Sequence, residues 1–466
     1  MVKNPSAAAK VILVLLLTIA TFGRAQTVTP IFSFHGPDGG YGSSPLVQGR
    51  DGNLYGTTTE LGTFDFGTVF EITTSGQHTV IHNFTGGEGY FPSALLLGTN
   101  GRFYGAAAGG GSSQQGAIFT FGTAGIVSDL HGFTGTEGYG PVGPLVQGTD
   151  GNLYGVAQLG GTANLGTVFK VSTSSGALTK LHDFNTSDGS YPTGLIQGVD
   201  GNFYGLTNAG GSFSLGTVFR ITSSGVFTTL HHFTGGNDGS SPTGKLTQGS
   251  DGTLYGTTSL GGNTPCACGT IFKITANGTF GLLHKFVGLA LHNTNWNEGP
   301  YLAANGLLYG TAVSISAPST NQLYRVATDG SGYSVLYQFT TAATGWGPFT
   351  TPVQHTNGKF YGSNQFGGDF FYGNVYSVDD GMQPFVRLVQ SAGKVGQTVT
   401  ILGGGLSGSS SVCFTKGTGG CASAAFTVGA DTYITATVPS GAITGLVTVT
   451  APGGTLTSNT SFRIIK

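Results

Sequence analysis

Charge is scarce in this chain: 8% of its 466 residues are Asp, Glu, Lys or Arg, and their formal balance is −2. A protein that grips nucleic acid needs a basic stripe to displace counterions from phosphates. No such stripe occurs, so nucleic-acid partners are excluded. Long apolar runs are confined to Val11–Phe22, and twelve residues fall short of the roughly twenty that cross a hydrocarbon core. Lys3 and Lys10 give this run a positive start, and Gly23 and Ala25 put small residues where a signal peptidase reads. Residues 1–25 are therefore read as an export signal, with a mature chain from Gln26 and no transmembrane segment after its removal. Only four cysteines are present, too few for a disulfide-dense scaffold. In an exported chain they point to disulfides before metals. Cys413 and Cys421 are eight apart across a glycine-rich turn, a plausible hairpin staple, while Cys266 and Cys268 form a local bridge or remain two free thiols. Tryptophan occurs twice, which excludes a Trp-Asp blade signature.

Glycine is abundant at 84 residues, alongside 32 Phe and 18 Tyr. Collagen's three-residue period is absent, and the aromatics argue against disorder. The phrase D/N-G-x-L/F-Y-G recurs seven times, with its tyrosine at Tyr55, Tyr104, Tyr154, Tyr204, Tyr255, Tyr309 and Tyr361. A period near fifty residues marks one supersecondary block whose apolar surface is buried by its neighbours. In the third copy, Gly143–Gln147 reads as a strand, Asp150-Gly151-Asn152 as a turn, and Leu153–Val156 as a second strand. Thr167–Val171 is β-branched and aromatic, and Leu178–Phe184 completes a fourth strand. In Gly-Thr-Val-Phe, adjacent Val and Phe point to opposite faces, so both faces are apolar. The glycine after each tyrosine marks a close backbone approach, expected near a crowded axis.

Six copies of the fourth-strand phrase end at Phe84, Phe133, Phe184, Phe233, Phe286 and Phe339, and none follows the seventh tyrosine. The missing copy stands at the front, as Pro30–Gly36. The expectation is an all-β fold: a seven-bladed β-propeller over 26–380 closed by the amino-terminal strand, which removes an exposed edge. From about Pro384 the period is lost, and alternating strands such as Val395–Ile401 and Gly445–Thr450 predict a small immunoglobulin-like β-sandwich over 384–466.

Two resemblances follow from these phrases. Leu145–Gly155, then Gly-Thr-Val-Phe-Lys, then Leu-His-x-Phe, resemble the GloVer tandem repeat of exported bacterial proteins with varied surface anchors, a family that implies no agreed activity. The tail resembles an IPT/TIG domain through Gly396–Gly403, Val412–Phe414, Ile434–Pro439 and Gly445–Val449, although the usual Pro-x-x-Gly opening is replaced by Gln390–Gly393.

Aligned copies expose candidate sites. His82, His131, His182, His231 and His284 share one slot, which Phe32 and Tyr337 fill elsewhere, so packing is favoured over ligation. Asp38, Glu88, Glu137, Asp188, Asp238 and Glu298 precede glycine between units, where Trp346 breaks the series. These carboxylates could take sugar hydroxyls, a cationic group or calcium, although no specific calcium motif and no other cofactor is indicated. The competing role is local, accepting amide hydrogen bonds within each loop. The Asp/Asn-Gly column is turn geometry. Of the irregular copies, His292, Trp296 and Glu298 offer a sugar-stacking pocket or a general acid beside a platform. No second catalytic carboxylate, nucleophile elbow or phosphate loop accompanies them. The resulting expectation is a secreted or cell-surface, non-catalytic binding protein for carbohydrate or another extracellular polymer. The alternatives are a polysaccharide-active enzyme with its site in blades five to seven, and a structural envelope component.

Overall fold

The computed structural model describes residues 26–42, 44–122, 125–263, 267–287, 299–313, 321–340, 344–417 and 419–465. All regular structure among them is β. Each fifty-residue unit forms an antiparallel sheet of consecutive strands. The third unit pairs Tyr139–Gln147, Leu153–Leu159, Thr167–Val171 and Leu178–Asp183 in that order. The unit around Tyr361 supplies three strands of its own, Val353–Gln354, Phe360–Asn364 and Asn374–Val378. Its fourth comes from the front of the chain: Val28–Ser33 pairs antiparallel with Asn374–Val378, from Val28 opposite Val378 to Ser33 opposite Asn374.

Apolar side chains on both faces of the third strands bind sheet to sheet. Tyr104, Ile118 and Phe133 of the second unit meet Leu145, Leu153 and Phe169 of the third. Equivalent clusters join the first unit to the second, the third to the fourth, the fourth to the fifth, the fifth to the sixth and the sixth to the seventh. A further cluster sets Phe34, Tyr361 and Val375 against Leu46, Leu54 and Phe70 of the first unit. Each fully buried Phe or Leu contributes about 1.5–3 kcal/mol relative to exposure, so every junction holds several such increments.

The glycine after each tyrosine leaves room for the ring opposite it on the third strand: a Cβ on Gly155 would stand 2.5 Å from Phe169 Cζ, and one on Gly205 2.4 Å from Phe219 Cζ and 2.8 Å from the backbone oxygen of Gly194. The ring folds across the neighbouring strand, and only a residue without a side chain leaves room for it.

The tail forms two four-stranded sheets. One orders Arg387–Leu388, Thr398–Leu402, Tyr433–Thr437 and Phe426–Ala430; the other orders Cys421–Ser423, Ser411–Lys416, Ala442–Ala451 and Gly454–Thr457. Val399, Ile401, Val412, Phe414, Ile434, Val447 and Phe462 fill the space between them. Cys413 and Cys421 are disulfide-bonded across adjacent strands. Cys268 is disulfide-bonded as well, and Cys266, its partner by the local-bridge reading, lies outside the described residues.

Candidate functional site

Antiparallel strand order gives each unit two ends. The Asp/Asn-Gly turns lie at one end, and the long second-to-third-strand loops share the other with the connections between units. Backbone hydrogen bonds tie those loops to those connections, as from Gly62 N to Gly36 O (2.9 Å) and from Gly211 N to Thr186 O (2.9 Å).

The acidic column sits on this loop face, and each described carboxylate is engaged within its own connection. Glu88 accepts from Thr85 N (2.9 Å) and Thr85 Oγ1 (2.6 Å), with His82 Nε2 at 2.8 Å. Glu137 accepts from Thr134 N, Thr134 Oγ1 and Thr136 Oγ1, with His131 Nε2 at 3.3 Å. Asp188 and Asp238 repeat the pattern with His182 and His231, both at 3.1 Å. Asp38 holds His35 N (2.6 Å) and Nδ1 (2.8 Å). Burial alone would raise the Glu137 carboxyl, but its Thr134 and Thr136 donors outweigh that and pull it down to about 2. The acidic and histidine columns are thus one device: strand-four imidazoles clasp the following turn. The imidazoles also stack on the next unit, His182 on Phe227 at 3.9 Å and His284 on Tyr333 at 3.7 Å. Burial lowers His231 and His284, favouring the neutral ring. His292, Trp296 and Glu298 lie outside the described residues. Among the described residues, no three or more His, Cys, Asp or Glu side chains gather as metal ligands.

At the turn end, the Asp/Asn exchange has a plain hydrogen-bond explanation. Tyr154 and Tyr204 hydroxyls donate to Asp150 and Asp200 (2.8 and 2.7 Å), whereas Asn100 and Asn357 donate to Tyr104 and Tyr361 hydroxyls (both 2.9 Å). Reversing the donor preserves the bond. A glutamine column that sequence reasoning overlooked works beside it. Gln147 accepts from Thr99 N in the preceding unit (2.9 Å) and donates to Gly151 O in its own turn (3.0 Å). Gln197, Gln248 and Gln354 make the same clasp, and Gln48 makes it with Thr356 of the last unit (N to Oε1 3.1 Å). The recurrence of Gln48, Gln147, Gln197, Gln248 and Gln354 at one position was the available signal.

This turn end is covered by the tail. Arg50 donates to Thr99 O (2.7 Å) and Thr400 Oγ1 (3.1 Å) and lies over the Tyr433 ring. Thr432 Oγ1 donates to Arg50 O, and Arg387 donates to the Tyr301 hydroxyl (2.5 Å) and to Gln354 O. Between the tail and the first strands of the units lies a cavity of about 440 Å³, lined among others by Leu46, Val146, Ile196, Gln197, Arg387 and Gln397.

The opposite face carries, among the described residues, exposed aromatic rings that sequence reasoning missed. Phe64 (52% exposed), Phe66, Phe370 (47%) and Phe371 (65%) stand on the loops of the first and seventh units, and Phe91 (41%) stands on the connection between the first and second. Phe371 and Phe91 have φ of 67° and 53°, a left-handed conformation costing an L-residue about 1–2 kcal/mol. The slot of Phe371 holds Asp65, Gln114, Asn164 and Ser214 in the first four units, all left-handed, and short polar residues tolerate this backbone best. The slot of Phe91 holds Tyr41, Gly140, Tyr191 and Ser241. Continuous with these rings is a half-buried aromatic string: Trp346 stacks on Phe366 at 4.4 Å, Phe366 meets Tyr41 at 5.8 Å, and Tyr41 meets Tyr372 at 6.2 Å. Trp346, which breaks the acidic column, therefore joins the aromatic sector.

The family model of the Gloeobacter/Verrucomicrobia repeat matches residues 18–194 and 100–295. Among solved structures, a fungal alcohol oxidase of the AA5 family, in complex with copper, is similar at 12% identity over 95% of this chain and 100% of that one, with a TM-score of 0.55. An oligogalacturonate lyase in complex with manganese is similar at 13% identity over 76% and 96%, with a TM-score of 0.50. The extracellular domain of a putative hybrid two-component system from B. thetaiotaomicron is similar at 10% identity over 96% and 60%, also at 0.50. These identities carry fold and no chemistry. No curated protein matches the chain.

Proposed function

The chain belongs to the Gloeobacter/Verrucomicrobia repeat family, and on that footing we propose that it is an exported, non-catalytic binding protein whose loop face holds an extracellular polymer, carbohydrate foremost. In this reading residues 1–25 are the signal. Residues 26–380 make a closed seven-bladed propeller, and residues 384–466 form an IPT/TIG-like domain docked on its turn end. Closure is supported by the Val28–Ser33 pairing, by the cluster joining the last unit to the first, and by the Gln48–Thr356 clasp. Docking of the tail leaves the loop face as the open surface of the ring.

One observation carries the reading. Phe371 occupies a left-handed loop position where the first four units place polar residues, and Phe91 occupies a second one that holds Tyr41, Gly140, Tyr191 or Ser241 elsewhere, so both exposed rings cost backbone energy and recover little by burial. Contact with a ligand accounts for that cost. The carboxylates of the acidic column serve here as loop braces that hold the platform. Glycan-array binding run beside an assay for newly released reducing ends tests this reading. Retention without turnover is expected. Turnover would replace it with the enzyme reading, and silence on both would leave a structural role.

A further inference from the structure

Lysine and arginine are absent from one sector of the loop face, where His35 is already paired with Asp38. Between Gln26 and Gly101 the only Lys or Arg is Arg50, and between Ala327 and Val386 the only one is Lys359. Both lie at the turn end: Arg50 beneath the tail, and Lys359 next to Asn357 and 3.5 Å from Asp379. The loop face of the seventh and first units carries Glu60, Asp65 and Asp369, all exposed. Unlike the braced acidic column, their carboxylates make no hydrogen bond or ion pair among the described residues. Asp65 stands between Phe64 and Phe66, and Asp369 precedes Phe370 and Phe371.

The two loops flank a single stretch of chain. Gly40 N donates to Glu60 O (3.1 Å) and Tyr41 N to Tyr372 O (2.8 Å), so residues 40–41 are held between them. Phe370 packs on His35 at 4.3 Å, and Phe66 lies 5.7 Å from Tyr90. Exposed π-faces interleaved with unpaired carboxylates attract a cation twice, through the ring quadrupole and through the formal charge. A neutral sugar would use the rings and could donate hydroxyl hydrogen bonds to the carboxylates, but without the attraction of opposite charge.

We infer that this sector, bounded by Phe64, Phe66, Phe91, Phe370 and Phe371, selects an extracellular polysaccharide carrying free amines, an amino-sugar polymer. This rests on the polymer-binding reading and adds the charge of the ligand to it. The C–H faces of successive residues stack on rings spread over three adjacent segments, and their ammonium groups meet Asp65, Asp369 and Glu60.

The test titrates the full chain with a β-1,4-linked glucosamine hexamer, with its fully N-acetylated counterpart, and with hexalysine. The amine form is expected to bind on the order of tenfold more tightly than the acetylated form. That preference should shrink as salt is raised from about 0.05 to 0.5 M. Asp65→Asn combined with Asp369→Asn should abolish the preference while leaving the melting temperature unchanged. Phe370→Ser should weaken both sugars. Equal binding of the two hexamers overturns the charge inference and leaves the polymer-binding reading standing. Hexalysine bound as tightly as glucosamine overturns the assignment to a sugar. No binding of any probe overturns the inference, and silence on a glycan array as well takes the broader reading with it.

Discussion

Phe371 shows how one residue separates stability from function. Its ring is largely solvent-exposed while its backbone is left-handed, so Phe371→Asn should raise unfolding free energy by about 1 kcal/mol, seen in the urea midpoint. The same change should weaken glycan retention, and a variant that loses stability would contradict the strain account. His78 illustrates a second residue-scale effect. It stacks on Phe32 at 4.1 Å, its buried Nε2 has no hydrogen-bond partner among the described residues, and burial lowers it to about 4, with Asp38 pulling upward and His35 downward. A lowered histidine stays neutral in the fold and charges more readily in the unfolded chain, so stability falls as pH drops from about 6.5 towards 4, by roughly 1–3 kcal/mol. Glu137, held at about 2, adds a loss in the same direction below about 4.5. Urea midpoints from pH 7 to 4 should therefore decline, and His78→Phe should flatten the upper part of that decline. Which histidines pair with which carboxylates was only half legible in the sequence. Each column was visible alone, but six residues of separation do not reveal that strand four carries His82 back to the turn that holds Glu88.

Among the elements, turn chemistry was the most legible because Asp-Gly and Asn-Gly admit few backbones, and Gly52 and Gly151 take φ of 84° and 83°. The tyrosine-following glycines were visible, but the cross-strand ring that requires them was not, since it leaves no periodic mark of its own. The glutamine clasps depend on a register between units that one unit's sequence does not contain. Leu97 and Leu302 fill the glutamine slot in the second and sixth units, so a leucine is sterically acceptable there. Gln48→Leu should still cost about 1–3 kcal/mol, because it strands the buried Thr356 N–H and hydroxyl that Gln48 satisfies. The equivalent change at Gln147, whose partner Thr99 is exposed, should cost less than half as much by denaturant titration. Equal losses at the two positions would mean that burial at the first–last junction is irrelevant.

At the scale of the whole chain, the repeat count and the split repeat at its two ends were readable, since both are arithmetic on the sequence. The docking of the tail was not, because Arg50, Arg387 and Leu402 look like ordinary surface or strand residues until two units are brought face to face. The loop-face rings escaped notice for a related reason: in a chain with 32 Phe, composition does not separate a core phenylalanine from an exposed one. The leading strand gives the sharpest test of the molecule as an assembly. Val28–Ser33 supplies the outer partner of Asn374–Val378, and Phe34 enters the cluster that joins last unit to first. Deleting residues 26–34 leaves that strand edge open and empties the Phe34 site, a loss of about 3–5 kcal/mol from the ring alone. The truncated chain should unfold at markedly lower denaturant and associate through its free edge, visible as concentration-dependent light scattering. A synthetic peptide of residues 26–36 should then restore the midpoint by binding in the vacated place. If the truncated chain keeps both its midpoint and its monomeric state, the ring does not depend on its two ends meeting, and the closed architecture proposed for it fails.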